Sequence, residues 1–76
     1  MPYSRKDLDL AVRHIREGEI RVRDLEEDIR RFEARGYDAT VPIFTLQLFK
    51  DVLVSMREHE SNIRADVLRR ERVGQA

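Results

Sequence analysis

Residues 36–42 read GYDATVP, the only internal cluster of turn-forming residues in a chain of 76. Before it, residues 5–35 contain no proline and a single glycine, and after it residues 43–73 contain neither. Long stretches without helix-breaking residues on both sides of one turn predict an antiparallel two-helix hairpin. We expect a single all-α domain over residues 1–76, with helix 1 at about 5–35, the turn at about 36–41 and helix 2 at about 42–73.

The predicted helix ends have local signals. Ser4, followed three residues later by Asp7, is typical of a capping box at the start of helix 1. Gly36 is a left-handed stop for helix 1. Thr40 is the preferred N-cap of helix 2, with Asp38 as the alternative. The last three residues, 74–76, are expected to fray.

Apolar residues recur every seven positions in both predicted helices, as in the a and d positions of coiled coils and bundles. The seam predicted to form the core and the dimer interface is Leu8, Ile15, Val22, Leu25, Ile29, Phe32, Leu46, Phe49, Leu53, Met56, Ile63 and Val67. With the turn at 36–41, Leu25 faces Leu53. A hairpin one helix thick leaves one side of this stripe in water, so we expect a homodimeric four-helix bundle.

Charge is abundant and unevenly placed. The 15 basic and 15 acidic residues give a formal net charge of zero. Residues 1–16 and 61–76 together carry +4, and residues 17–60 carry −4. Opposite charges favour two hairpins that run in opposite directions, although salt screens this preference. The predicted partner is therefore a second copy of the chain in antiparallel orientation.

A polar layer is predicted near the middle of the helices. Gly18 occupies a seam position, and the predicted pairing places it opposite His59 and Glu60, with His14 one turn away. Buried polar layers often specify register in helical assemblies. The alternative is a metal or small-ligand site built from His14, His59 and Glu60. Neither histidine follows a glutamate by three residues, as di-iron bundles require, so we expect no metal and no cofactor.

A second alternative is RNA or DNA binding. Arg16, Arg23 and Arg30 recur every seven residues on one outer row of helix 1 and could contact phosphates. A neighbouring row of glutamates at the same spacing offsets this charge. The more common role of such rows is a solvated face held together by ion pairs.

Several function classes have no support in the sequence. The chain has no cysteine, and no apolar run approaches the ~20 residues of a membrane span. The first residues contain no apolar signal-peptide core, which favours a cytoplasmic protein. No serine lies in an elbow motif and no glycine-rich phosphate loop is present, so we expect no enzyme and no catalytic residue. Apolar residues outside the seams could complete the dimer interface or offer a groove to another protein's helix: Leu10, Val12, Ile20, Leu48 and Val54.

Residues 11–19 read AVRHIREGE, and residues 36–38 read GYD. With the spaced Leu, Phe and His residues of helix 2, this resembles a group of small uncharacterised bacterial helical-hairpin proteins that carry A-x-R-H-I-x-E-G-E and G-[HY]-D motifs. The resemblance implies a bacterial cytoplasmic hairpin and no particular activity. The function predicted from sequence is a non-catalytic, homo-oligomeric interaction or regulatory module.

Overall fold

The computed structural model describes residues 2–74, and both regular elements in that range are α-helices. Helix α1 spans Arg5–Ala34 and helix α2 spans Thr40–Gly74. They pack against each other as an antiparallel rod with Cα extents of 62 × 14 × 14 Å. The predicted all-α hairpin is therefore confirmed. Of the residues predicted to fray, Gly74 belongs to α2, and residues 75–76 lie outside the described range.

Helix α1 begins at the predicted capping box. The Asp7 N–H donates to Ser4 Oγ at 3.3 Å, and the Ser4 N–H donates to Asp7 Oδ2 at 2.8 Å. Two backbone donors that the helix leaves free are thereby satisfied. The Ser4 N–H, followed by the Ser4 hydroxyl, holds the pKa of the Asp7 carboxyl below its ordinary value.

Helix α1 ends in a Schellman motif around Gly36, whose φ is +74°. The Gly36 N–H donates to the Glu33 carbonyl at 3.0 Å, and the Tyr37 N–H donates to the Phe32 carbonyl at 2.9 Å. The Tyr37 and Phe32 rings pack edge-on with centroids 5.9 Å apart, which is the apolar contact typical of this motif. Phe32, predicted to lie in the core, is instead 41% exposed because its ring covers the turn.

Helix α2 begins at Thr40, about two residues earlier than the sequence predicted. The Ala39 carbonyl accepts from the Ile43 N–H at 2.9 Å, so Thr40 is the first helical residue and not the N-cap. Asp38 satisfies the exposed donors: its Oδ1 accepts from the Thr40 N–H at 2.9 Å and from the Thr40 hydroxyl at 2.6 Å. The hydrogen bond from the Thr40 hydroxyl, and to a lesser extent the one from the Thr40 N–H, holds the pKa of the Asp38 carboxyl below its ordinary value.

The shorter turn changes the register between the helices. Leu53 packs against Gly18, for which the sequence predicted His59 and Glu60, and Leu8 packs with Ile63 and Val67 near the open end. The residue that meets Gly18 is therefore about two helical turns nearer the turn than the predicted partners. The predicted antiparallel direction is correct, and the pairing predicted for Gly18 is wrong.

The core is a single line of side chains between the helices. The buried apolar residues are Leu8, Val22, Ile29, Ala39, Leu53, Ile63 and Val67. Five other predicted seam residues are only half-buried: Ile15, Leu25, Leu46, Phe49 and Met56. No polar or charged side chain within residues 2–74 is buried. In the same range, neither helix has a stretch long and apolar enough to cross a membrane.

Candidate functional site

The polar layer predicted near the middle of the helices is not formed. A Cβ atom at position 18 would lie 2.8 Å from Leu53 Cδ2, so Gly18 faces Leu53. His14 is exposed and shares a groove with Gly18, whereas Glu60 lines a different groove and accepts from Arg64 Nε at 2.8 Å. In the part of the chain that is described, no three His, Asp or Glu side chains come together as metal ligands. The shifted register separates the residues of the proposed layer.

His59, the fourth residue of that layer, contacts the segment that precedes α1. The Tyr3 ring packs edge-on against it, with centroids 5.7 Å apart. The Tyr3 N–H donates to Asp66 Oδ2 at 3.1 Å, and Asp66 also accepts from Arg69 at 2.8 Å and Arg70 at 2.9 Å. The Tyr3 N–H, helped by the two guanidinium groups, holds the pKa of Asp66 below its ordinary value. This network ties the segment before α1 to α2.

One side of the rod, which we call the apolar face, is an open groove of about 210 Å³ around Gly18. Its lining residues are His14, Glu17, Gly18, Arg21, Phe49, Val52, Leu53 and Met56. Helix α2 supplies the aromatic and aliphatic side chains, and α1 supplies a polar rim.

An apolar stripe continues from this face around the first half of α2. It consists of Val41, Phe44, Leu48 and Val52, which are 75%, 66%, 50% and 54% exposed. Their three- and four-residue spacing places them on one side of the helix. Only two residues between positions 41 and 56 are charged. A helix segment that is apolar around its circumference is typical of burial between several helices.

The other side of the rod, which we call the basic face, is a chain of three open grooves. The largest, about 520 Å³, is lined by Glu19, Val22, Arg23, Lys50, Leu53, Val54 and Arg57. The next is lined by Val12, Ile15, Arg16, Glu19, Arg57, Glu60 and Arg64. The last is lined by Asp9, Val12, Arg13 and Arg16. Neighbouring grooves share residues, so the basic face is continuous.

The basic face contains only part of the arginine stripe predicted on helix 1. Arg16 and Arg23 line it, whereas Arg30 is exposed one heptad nearer the turn and lines none of these three grooves. Helix α2 contributes a second basic row at the same spacing, which the sequence prediction missed: Lys50, Arg57 and Arg64. The seven-residue spacing of this row was visible in the sequence. Its position opposite the α1 row depends on the helix register.

Comparisons with known proteins do not assign the chain to a family. Neither the family models, nor the curated proteins, nor the solved structures gave a match. The resemblance to small bacterial helical hairpins therefore stays a prediction that rests on residues 11–19 and 36–38.

Proposed function

We propose that the chain is a cytoplasmic, non-catalytic interaction or regulatory module that works as a homodimeric four-helix bundle. The exposed apolar stripe of α2 supports this proposal most directly. Four large apolar side chains in little more than three helical turns lie at least half exposed on the single hairpin. Their burial against a second copy would stabilise the dimer through the hydrophobic effect, at roughly 25 cal/mol for each Å² of apolar surface.

The surface area of the hairpin supports the same conclusion. Its accessible surface is 6201 Å², whereas a compact monomer of 9.1 kDa would expose about 4,900 Å². The excess of about 1,300 Å² is larger than the ~800 Å² that each partner buries in a standard protein interface. A second hairpin along one side of the rod would remove an area of this size.

The apolar face is the side on which we place the second copy. In a two-fold dimer each surface meets its own equivalent. The basic face would then bring six cations of one copy against six of the other, which like-charge repulsion opposes. The apolar face instead brings Phe49, Val52 and Met56 of one copy against the same residues of the other.

The dimer is expected to be antiparallel because the open end carries +4 and the remainder −4. Gly18 and Val52 both lie close to the middle of the rod. A two-fold axis at this level would let the two hairpins overlap along their whole length. It would also place the apolar stripe of one copy beside the open end of its partner.

Two valines provide a matched test of this interface. Val52 and Val54 are both 54% exposed, but Val52 lines the apolar face and Val54 lines the basic face. Light scattering should give twice the 9.1 kDa chain mass for the unmodified protein. Val52→Glu should shift the mass toward the monomer, and Val54→Glu should leave it unchanged. A monomeric unmodified protein at micromolar concentration, or dissociation caused only by Val54→Glu, would contradict the proposal.

The absence of cysteine makes the orientation testable by single-cysteine crosslinking. Val52→Cys lies near the proposed two-fold axis and should form a disulfide-linked dimer under mild oxidation, since bridged Cα atoms lie within about 7 Å. Phe44→Cys lies near the turn and should remain uncrosslinked. Efficient crosslinking through position 44 would instead indicate a parallel dimer.

A further inference from the structure

We propose that the basic face binds an acidic amphipathic helix of a partner protein. The cations that define it are Arg13, Arg16, Arg23, Lys50, Arg57 and Arg64. The acidic side chains in the same grooves number only three: Asp9, Glu19 and Glu60. This face therefore has an excess of positive charge, although the whole chain is neutral.

Most of these cations have no carboxylate partner among residues 2–74. The ion pairs formed inside residues 2–74 involve Arg5, Arg31, Arg64, Arg69 and Arg70. Of the six cations on the basic face, only Arg64 is among them, bound to Glu60. The other five face the grooves together, so a ligand with negative charges would relieve their mutual repulsion.

The floor of these grooves indicates what else the ligand must carry. Val12, Ile15 and Val54 lie between the charged rims and are partly or largely exposed. The lining from Asp9 to Arg23 follows α1 for about 21 Å, the length of four helical turns. An amphipathic helix of that length would place its apolar side on the floor and acidic side chains beside both rims.

A nucleic acid fits the same surface less well. Phosphate groups would gain nothing from the valine and isoleucine floor, and Glu19 and Glu60 would repel them. None of the residues that line these grooves is aromatic, so bases have no ring on which to stack. A second copy of the chain is also disfavoured here, because each basic face would meet another basic face.

The test uses the full chain and a labelled peptide of ~16 residues with leucines at helical spacing and glutamates on both flanks. A scrambled peptide of the same composition is the control for charge alone. Fluorescence anisotropy should show that the amphipathic peptide binds at least about tenfold more tightly than the scrambled one. Arg23→Glu with Arg57→Glu should weaken binding by about tenfold or more.

The matched control is Lys6→Glu with Arg72→Glu, which changes the net charge equally at two exposed positions outside the three grooves. Binding by this variant should equal that of the unmodified protein. Circular dichroism checks that each variant is helical. If the variant with Arg23→Glu and Arg57→Glu unfolds, the variant with Arg23→Gln and Arg57→Gln is measured in its place. The neutral pair should weaken binding in the same direction.

Three results would overturn the proposal: equal binding of the two peptides, equal loss in both double variants, and no binding at low salt. Polyuridylate RNA and duplex DNA are measured in parallel. If either binds through Arg23 and Arg57 while the peptide does not, the basic face is a nucleic-acid surface instead. Because these grooves lie within one hairpin, failure here leaves the proposed dimer unaffected.

Discussion

The substitution Gly18→Ala distinguishes the helix register observed in the structure from the register predicted from the sequence. In an exposed helix interior, Gly→Ala stabilises by about 1 kcal/mol. Here the new Cβ would lie 2.8 Å from Leu53 Cδ2 and 3.5 Å from Leu53 Cγ. Leu53 is only 4% exposed, so relief of this contact requires its side chain to leave the packed position between the helices and turn toward a groove that it lines. Overpacking of this kind costs typically 1–3 kcal/mol, and we expect a net loss of about 1 kcal/mol for Gly18→Ala.

A double-mutant cycle with Leu53→Val isolates the contact, because valine lacks the Cδ2 atom that the new methyl group would meet. Leu53→Val alone should cost about 1 kcal/mol, as removal of a buried methylene does. In that background Gly18→Ala should become stabilising by up to about 1 kcal/mol, since only helix propensity remains. The expected coupling free energy between the two positions is therefore about 2 kcal/mol.

Urea unfolding followed by circular dichroism measures each corner of the cycle at one protein concentration, because dimer stability depends on concentration. In thermal unfolding, a change of 1 kcal/mol in the free energy of unfolding corresponds to a shift in Tm of about 4–8 °C for a chain of this size. The control cycle pairs Gly18→Ala with His59→Ala, the partner predicted from sequence, and should show no coupling. Stabilisation by Gly18→Ala alone, or coupling to His59 and not to Leu53, would refute the observed close approach.

Two further predictions concern the turn and the acid sensitivity of the fold. Gly36 has φ +74° and open space around its Cα, so Gly36→Ala should cost about 1–2 kcal/mol through backbone strain alone, and Gly36→Asn should cost less. Equal stability of the alanine variant and the unmodified protein in urea would contradict this. The pKa of Asp66 lies below its ordinary value because of the Tyr3 N–H and the neighbouring arginines. A lowered folded-state pKa stabilises the fold above the unfolded-state pKa, so the unfolding free energy should be level above about pH 5 and fall as the pH drops through about 4 and below. Asp66→Asn should be less stable at neutral pH and lose less on acidification; parallel acid titrations of the two proteins would exclude this role for Asp66.

Local signals predicted the helix ends well. Ser4 caps the start of α1 and Gly36 ends this helix, both as predicted, because capping and a left-handed stop depend only on residues a few positions apart. Thr40 and Asp38 were both recognised as candidates for the start of α2, and Asp38 makes the capping contact. Choosing between them required the backbone geometry of the turn.

Contacts between the helices were predicted less well. The turn is one residue shorter than predicted, and Gly18 meets Leu53 instead of His59 and Glu60. Glu60 and His14 line different grooves. The basic face was missed for the same reason. Its two rows are each visible as heptad spacing, but only the register places them side by side.

The sequence alone determined that this chain forms two helices, where α1 begins and ends, and that the apolar sides of the helices meet in antiparallel fashion. These properties follow from short-range hydrogen bonding and from a seven-residue apolar repeat. Only the tertiary structure decided which residues face each other, that Phe32 covers the turn, and that apolar and basic surfaces lie on different sides of the rod. The physical reason is that a heptad seam is compatible with several registers one turn apart, and side-chain packing at contacts such as Gly18 with Leu53 selects among them.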